Sequence, residues 1–261
     1  MGIPPTFETL LWNQDGPILT ITLNRPERLN AFNADMFRDL GQAVEAISEN
    51  KDVRAVVFTG AGRAFCSGAD LNTVSEYHAE AEGDAIAQGI RQAQNLFDRV
   101  EEIELPTIAA INGHAVGAGL QLALACDIRV AVRGSKLGLS DVKIGIVPAL
   151  GATTRLPDLI GLAKTKELIL IGDLISADEA SEIGLVSRVV EVESLGSAVK
   201  ELAAKLASHA PLAMAAAKKL LRTKASLEEV ASTQSRLIKS ADALEGIASF
   251  LEKRPPRFSG Q

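Results

Sequence analysis

The feature that most constrains this chain is the stretch AINGHAVGAGLQL at residues 110–122, where an apolar strand runs through small residues into a helix. The first amides of a helix have no partner inside that helix. An earlier loop, FCSGADL at residues 65–71, is also rich in small residues. Two loops of this kind can each aim one backbone N–H at the same oxygen atom, which is how proteins stabilise an enolate formed from a carbonyl group.

Composition limits the class of protein. A chain of 261 residues with 47% hydrophobic residues can bury a sizeable core, as one large domain or two small ones. The formal net charge of -6 argues against a general nucleic-acid-binding protein. No apolar run is long enough to span a bilayer, and residues 1–9 lack the pattern of a secretory signal. We therefore expect a cytoplasmic protein without nucleic-acid or membrane partners.

The pattern of apolar residues predicts repeated strand-to-helix units, which indicate an α/β core. Asn33 is the expected N-cap of the first helix, and Ile90 and Ala93 are expected on the buried side of the second. The predicted strands are residues 18–23, 53–59, 107–111 and 128–132, and the predicted helices are residues 34–48, 84–103 and 117–126.

The sequence changes character near residue 193, after which helix formers rich in Ala and Lys predominate. Pro211 divides this region into helices, and the Pro255-Pro256 pair stops the last of them. We therefore divide the chain into a core of residues 1–192, which carries the site, and a helical region of residues 193–261. The apolar faces of these helices need a surface to pack on, either the core of the same chain or a neighbouring subunit.

Several short motifs follow one another along almost the whole chain. In this order they resemble the crotonase family, the enoyl-CoA hydratase/isomerase superfamily. The resemblance implies a spiral of strand-strand-helix repeats with a C-terminal helical trimerisation region, assembled as a homotrimer or a dimer of trimers. It also implies an acyl-CoA thioester substrate, no metal, and no cofactor other than the coenzyme A of the substrate. The motifs are LNRP (23–26), FCSGADL (65–71), NGHAVGAG (112–119), CD (126–127), KIGIVP (143–148), GLV (184–186) and FLEKR (250–254).

By this resemblance, the N–H groups of Ala69 and Ala118 form an oxyanion hole for the thioester carbonyl. The two catalytic glutamates of the family's hydratases correspond to Gln121 and Asp141. Asp141 can act as an acid or a base. Glutamine stays neutral, so Gln121 can orient a water molecule or a substrate group but cannot transfer a proton.

One carboxylate in place of two favours isomerisation of 3-enoyl-CoA to 2-enoyl-CoA, since one base can move a proton from C2 to C4. Slow hydration of 2-enoyl-CoA is compatible with the same residues. An ordinary enoyl-CoA hydratase of fatty-acid beta-oxidation, a non-catalytic acyl-CoA-binding protein and a different acyl-CoA reaction stay open as alternatives. Some family members carry an acid directly after the Val-Pro pair, where this chain has Ala149.

The resemblance also assigns contacts with the coenzyme A portion. The backbone near residues 28–31 is expected to meet the pantetheine or phosphates, and the turn at residues 69–71 to border the adenine. Two residues of the last helix are expected to reach the ligand, often that of a neighbouring subunit. The expected CoA-binding residues are Arg28, Leu29, Ala31, Asp70, Leu71, Phe250 and Lys253.

Other reactive residue types carry no predicted chemistry. Cys66 and Cys126 lack metal-ligand spacing, and two free thiols are a simpler interpretation than one disulfide. His114 is a single histidine and forms no metal site by itself. Tyr77 and His78 are expected near the mouth of the acyl pocket.

Overall fold

Two β-sheets organise the chain, whose computed structural model describes residues 6–73, 75 and 84–261. The strands are β1 (Leu10–Asp15), β2 (Ile18–Leu23), β3 (Ala55–Gly60), β4 (Ala64–Cys66), β5 (Thr107–Ile111), β6 (His114–Val116), β7 (Ile128–Val132), β8 (Lys136–Gly138), β9 (Ile175–Ser176) and β10 (Arg188–Val190). The helices are α1 (Ala34–Glu49), α2 (Ala85–Glu101), α3 (Ala118–Ala125), α4 (Ala152–Ile171), α5 (Ala177–Glu182), α6 (Leu195–Ala207), α7 (Pro211–Arg222), α8 (Leu227–Leu237) and α9 (Ala241–Glu252). Short 3₁₀ helices occur at Pro26–Arg28, Asp141–Ile144 and Val192–Ser194.

Successive turns of the chain give one strand to each sheet. The larger sheet has the order β1-β2-β3-β5-β7-β10, and its strands are parallel except for the β1-β2 pair. The smaller sheet has the order β4-β6-β8-β9, in which β8 and β9 are antiparallel. The units β3-β4-α2, β5-β6-α3 and β7-β8-α4 are therefore three turns of a strand-strand-helix spiral, as predicted.

Strand β3 shows why the central strands are continuously apolar. Val56 and Phe58 belong to the main core, which also contains the buried faces of α1 and α2. Ala55 and Val57 belong to a second core on the opposite side of the sheet, where α6 packs. Both faces of the strand are thus covered, as an unbroken apolar run in a parallel sheet predicts.

The predicted helices are confirmed, with one correction on α2. Asn33 caps α1, because its side-chain oxygen accepts a hydrogen bond from Met36 N at 3.0 Å. In α2, Leu96 and Phe97 reach the core as part of the buried face. Ile90, predicted to be buried, is 39% exposed, and the half-buried Ala93 lies with it on the wall of a cavity. The N-terminal half of α2 therefore covers open space instead of the core.

The C-terminal region is helical, as predicted, and Pro211 is the first residue of α7. Lys218 ties α7 to the core, because its Nζ lies 2.6 Å from Asp127 Oδ2 and 2.7 Å from Leu105 O. The first helix after residue 193, α6, packs directly on the larger sheet, so the two regions share a core. The division of the chain between residues 192 and 193 stays a prediction. None of the described helices is long and apolar enough to cross a membrane.

Gly119 of α3 lies directly against Cys66 of β4. A Cβ atom at this position would stand 2.6 Å from Cys66 Cβ and closer still to the Cys66 carbonyl oxygen. We expect Gly119→Ala to lower the free energy of unfolding by about 1–3 kcal/mol, as overpacking does in a close-packed core. Urea denaturation would measure this change.

Gly196→Ala is the matched control, because no atom lies within 4 Å of a Cβ at that position in α6. There we expect the free energy of unfolding to stay the same or to rise by less than about 1 kcal/mol. Equal destabilisation by the two substitutions would contradict the packing argument.

Candidate active site

A cavity of about 1260 Å³ lies between α1, α2, the start of α3 and the segments 67–73 and 140–150. Large apolar side chains dominate its wall, and several of them are exposed to it. An opening of this size and character suits a ligand with an apolar chain. These side chains are Phe37, Leu71, Ile86, Ile90, Ile146 and Val147.

Backbone pairing leaves the N–H of Ala69, a residue of the cavity wall, without a partner on the adjacent segment. Phe32 N donates to Gly68 O at 2.8 Å, and Asp70 N donates to Phe32 O at 2.8 Å. In a parallel bridge of this form, the intervening residue turns its own N–H away from the partner strand. Within the described ranges, no backbone carbonyl accepts a hydrogen bond from Ala69 N–H.

The N–H of Ala118 is available for a different reason. Ala118 is the first residue of α3, so its amide has no acceptor within the helix. Gly117 precedes it with φ of 52°, a left-handed value that glycine adopts readily. A Cβ atom on Gly68 would lie 3.8 Å from Ala118 N. The two loops are therefore in contact, and both of their unpaired amides border the same cavity.

Asp141 brings a carboxylate to this point. It is the first residue of the short helix that follows β8, and its Oδ2 lies 3.9 Å from the place of a Cβ on Gly117. This oxygen is buried and has no hydrogen-bond partner among the residues that the structure describes. Burial raises the pKa of the Asp141 carboxyl, against a smaller opposite effect of its own backbone amide. An unpaired buried carboxylate is unfavourable for folding, so it is typical of a group that serves a ligand.

Gln121 lies one turn further along α3 and is 2% exposed. Its Oε1 accepts hydrogen bonds from Leu150 N at 2.7 Å and Ala152 N at 3.3 Å. Only the carbonyl end of an amide can accept from two N–H groups, so these partners fix which way the side chain is turned. Both lone pairs of the oxygen are in use, which leaves the NH₂ group as the free polar end.

Two residues that bind the loop before α4, Gln94 and Arg155, were not predicted from the sequence. Gln94 Nε2 donates to Ala149 O at 2.8 Å, and Arg155 Nη1 donates to Leu150 O at 3.1 Å. Arg155 is 8% exposed and also pairs with Glu101 of α2 at 2.8 Å. The sequence carried no signal for this network, because an arginine on a helix resembles a surface charge when its partner is 54 positions away.

The other predicted ligand-binding residues are divided between the cavity and the surface. Leu71 and Asp70 line the cavity, and Asp70 Oδ2 pairs with Arg25 Nη2 at 3.1 Å. The other five residues predicted to bind CoA lie outside the cavity wall of the single chain. Two of them, Phe250 and Lys253, are exposed on or just after α9. The five residues are Arg28, Leu29, Ala31, Phe250 and Lys253.

Neither of the two cysteines lies on the cavity wall. Cys66 and Cys126 are buried free thiols, and burial raises the pKa of each to about 12. Across residues 6–73, 75 and 84–261, no group of three or more His, Cys, Asp or Glu side chains is placed to hold a metal ion. Tyr77 and His78 lie outside the described residues.

Comparison with known proteins identifies, over nearly the whole chain, the family that the sequence motifs resemble. Residues 13–261 match the enoyl-CoA hydratase/isomerase family. Short-chain-enoyl-CoA hydratase of Clostridium acetobutylicum is 35% identical, over 95% of this chain and 96% of that protein. The 1,2-epoxyphenylacetyl-CoA isomerase of Escherichia coli is 35% identical, over 98% of this chain and 100% of that protein.

Solved structures agree with the sequence comparison. The crystal structure of an enoyl-CoA hydratase from Bacillus anthracis superimposes with a TM-score of 0.91 at 35% identity, covering 97% of this chain and 100% of that chain. Fold, motif order and sequence similarity lead to one conclusion: the chain belongs to the enoyl-CoA hydratase/isomerase family.

Proposed function

We propose that this protein binds an acyl-CoA thioester through Ala69 N–H and Ala118 N–H and transfers a proton with Asp141. The reaction that fits best is isomerisation of 3-enoyl-CoA to 2-enoyl-CoA, with slow hydration of 2-enoyl-CoA as a lesser activity. The observation that supports this most strongly is the buried, unpaired Oδ2 of Asp141 beside Gly117, next to the two available amides.

The proposed isomerisation needs one base and one oxyanion site. Asp141 removes a proton from C2, and the electron pair moves through the thioester carbonyl to give a dienolate. The two N–H groups stabilise the negative oxygen, and a donor of this kind is worth about 3–4 kcal/mol in the transition state. Asp141 then returns the proton to C4, which leaves the double bond between C2 and C3. The reaction is redox-neutral, so its electron balance requires no redox cofactor.

Gln121 favours isomerisation over hydration. Adding water to an enoyl thioester requires a group that accepts a proton from the water. Gln121 Oε1 already accepts from Leu150 N and Ala152 N, and the NH₂ group can only donate. Of the two positions that carry glutamates in the family's hydratases, Asp141 alone has a side chain that can transfer a proton.

Two alternatives make different use of the same cavity. An efficient hydratase would use Asp141 together with a water molecule held by the NH₂ group of Gln121, and several relatives are named as hydratases. A non-catalytic acyl-CoA-binding protein would use the cavity and the amides alone. The unpaired carboxylate of Asp141 argues against the second alternative, because such a group has no role in binding a neutral acyl chain.

We extend the proposal to the assembly and to the CoA contacts. Apolar side chains of α7 and α9 are exposed in the single chain, with Leu221 at 80% and Phe250 at 82%. This exposure supports packing against other copies, as a homotrimer or a dimer of trimers. Phe250 and Lys253 would then reach the CoA of a neighbouring copy. Arg28, Leu29, Ala31, Asp70 and Leu71 would contact the CoA bound by their own chain.

Turnover by Asp141→Asn tests the proposed role of this carboxylate. Purified protein is mixed separately with a 3-enoyl-CoA and a 2-enoyl-CoA, and the absorbance of the conjugated enoyl thioester is followed. We expect absorbance to rise with the 3-enoyl-CoA, and Asp141→Asn to reduce that rate by about 10²–10⁴-fold, the usual contribution of a positioned base. Binding of a CoA ester should change little.

Each other outcome assigns a different function. A fall in absorbance with 2-enoyl-CoA that depends on Asp141 and is faster than the rise with 3-enoyl-CoA would identify an efficient hydratase. Binding of both esters without turnover would favour the non-catalytic protein or another acyl-CoA reaction. Unchanged turnover in Asp141→Asn would overturn the role of Asp141.

The buried carboxyl group of Asp141 also makes the stability of the protein depend on pH. Burial raises the pKa of Asp141 above its ordinary value of 3.8. Between this value and the folded-state pKa, the folded protein therefore holds a proton that the unfolded chain has already released. This contribution to stability is lost as the pH rises through the folded-state pKa. Asp141→Asn should therefore be more stable than the wild type at neutral pH, and the difference should narrow as the pH falls towards 3.8.

Urea denaturation across this pH range measures the difference. Asp52→Asn is the control, because Asp52 is an exposed carboxylate before β3 and lies outside the cavity wall. A difference between Asp141→Asn and the wild type that does not vary with pH would contradict the proposed cost of burying this carboxylate.

Gln121→Glu would supply the second carboxylate that this cavity lacks at the position of the family's first glutamate. One glutamate oxygen can keep the hydrogen bonds from Leu150 N and Ala152 N, and the other then faces the cavity as a base. We expect the rate of 2-enoyl-CoA hydration to rise at least about tenfold, a part of what a positioned base contributes. Gln92→Glu places a carboxylate on the same cavity wall without those two amides and should give no gain. No gain in Gln121→Glu would show that a missing carboxylate does not limit hydration.

A further inference from the structure

The orientation of Gln121 gives the cavity a fixed polarity beyond the reacting carbon. We propose that the Gln121 NH₂ group is a directed hydrogen-bond donor to a carbonyl oxygen at C3 of the acyl chain. The site would then favour 3-oxoacyl-CoA thioesters as a class of ligand beyond the enoyl thioesters. This inference rests on the acyl-CoA binding proposed above.

The side-chain amide of Gln121 has a fixed direction. Oε1 is held by two backbone N–H groups, one from the loop before α4 and one from its first residue, Ala152. A flipped amide would turn its NH₂ group towards both donors and lose both hydrogen bonds. No described residue accepts a hydrogen bond from Gln121 Nε2, and this atom is not among the fully buried, unpaired polar atoms. It therefore retains contact with the cavity that Gln121 lines.

The loop that holds Gln121 is itself held by other hydrogen bonds. Its carbonyl groups at positions 149 and 150 accept hydrogen bonds from Gln94 and Arg155. Arg155 is held in turn by Asp98 and Glu101 of α2, at 2.5 and 2.8 Å. The loop is thus bonded on both sides, by Gln121 towards the cavity and by α2 and α4 behind it. A donor supported in this way cannot become an acceptor by a small rearrangement.

The position of the Gln121 NH₂ group along the acyl chain follows from the other proposed contacts. The thioester oxygen is assigned to the amides of Ala69 and Ala118, and C2 must lie beside Asp141 for proton transfer. Gln121 is three residues after Ala118 on the same helix, so both lie on one face. C3 is the first carbon beyond C2, and an oxygen on it is the nearest acyl acceptor for the amide. A 3-oxo group can only accept, which matches a group that can only donate.

The test measures binding of three CoA thioesters to Asp141→Asn, in which proton transfer is blocked. The ligands are butyryl-CoA, 3-oxobutyryl-CoA and 3-hydroxybutyryl-CoA, and calorimetry gives their dissociation constants. We expect 3-oxobutyryl-CoA to bind about 3- to 10-fold more tightly than butyryl-CoA, the effect of one neutral hydrogen bond. Equal affinity would overturn the inference.

Gln121→Glu in the same background reverses the polarity while keeping an acceptor for both backbone N–H groups. At about pH 8 the glutamate is ionised, since two N–H donors stabilise the charged form. We expect 3-oxobutyryl-CoA to bind more weakly than butyryl-CoA in this variant, because two acceptor oxygens face each other. The 3-hydroxybutyryl ester should still bind, since its hydroxyl group can donate to the carboxylate.

The outcomes separate this inference from the proposed function. A preference for the 3-oxo ester that persists in Gln121→Glu would overturn the inference, because the donor would not be its source. Binding of all three esters with equal affinity would overturn the inference and leave acyl-CoA binding intact. Failure of folded protein to bind any of the three esters would overturn both.

Discussion

Backbone-to-backbone packing between the segment after β4 and the start of α3 supports the whole candidate site. At Gly119 there is no room for a side chain against Cys66, and at Gly68 the backbone lies directly against the Ala118 amide. Larger residues at these points would hold the two segments apart. The pairing of Phe32 with Ala69 and the start of a helix at Ala118 then leave two N–H groups free in one place.

Two polar side chains of the cavity, Asp141 and Gln121, have opposite properties. Asp141 offers a buried oxygen that lacks a hydrogen bond, and burial makes that group easier to protonate. Gln121 offers a donor, because its acceptor is occupied by Leu150 and Ala152. A site with one acid-base group and one neutral donor can move a proton within a substrate more readily than it can activate water. This contrast is the physical basis for preferring isomerisation to hydration.

Much of this arrangement could be predicted from the sequence, because its signals are local. The family resemblance indicated the amides of Ala69 and Ala118 and the carboxylate of Asp141, and the small residues of the two loops agreed with it. Features that depend on distant partners could not be predicted. Ile90 fits a buried helical face by its spacing, yet that part of α2 covers a cavity. Arg155 shows no sign in the sequence of the partners on α2 that bury it.

The bonds that join α2 to the loop before α4 have a mechanical consequence. The same helix presents Ile86 and Ile90 to the cavity and holds the loop that orients Gln121, through Gln94 and Arg155. The part of the cavity wall that α2 forms and the support of Gln121 therefore belong to one rigid unit. Widening the cavity by displacing α2 would also displace that support. A bulkier acyl chain is then accommodated with the least disturbance by a smaller side chain at a position such as Ile90, because this substitution leaves α2 in place.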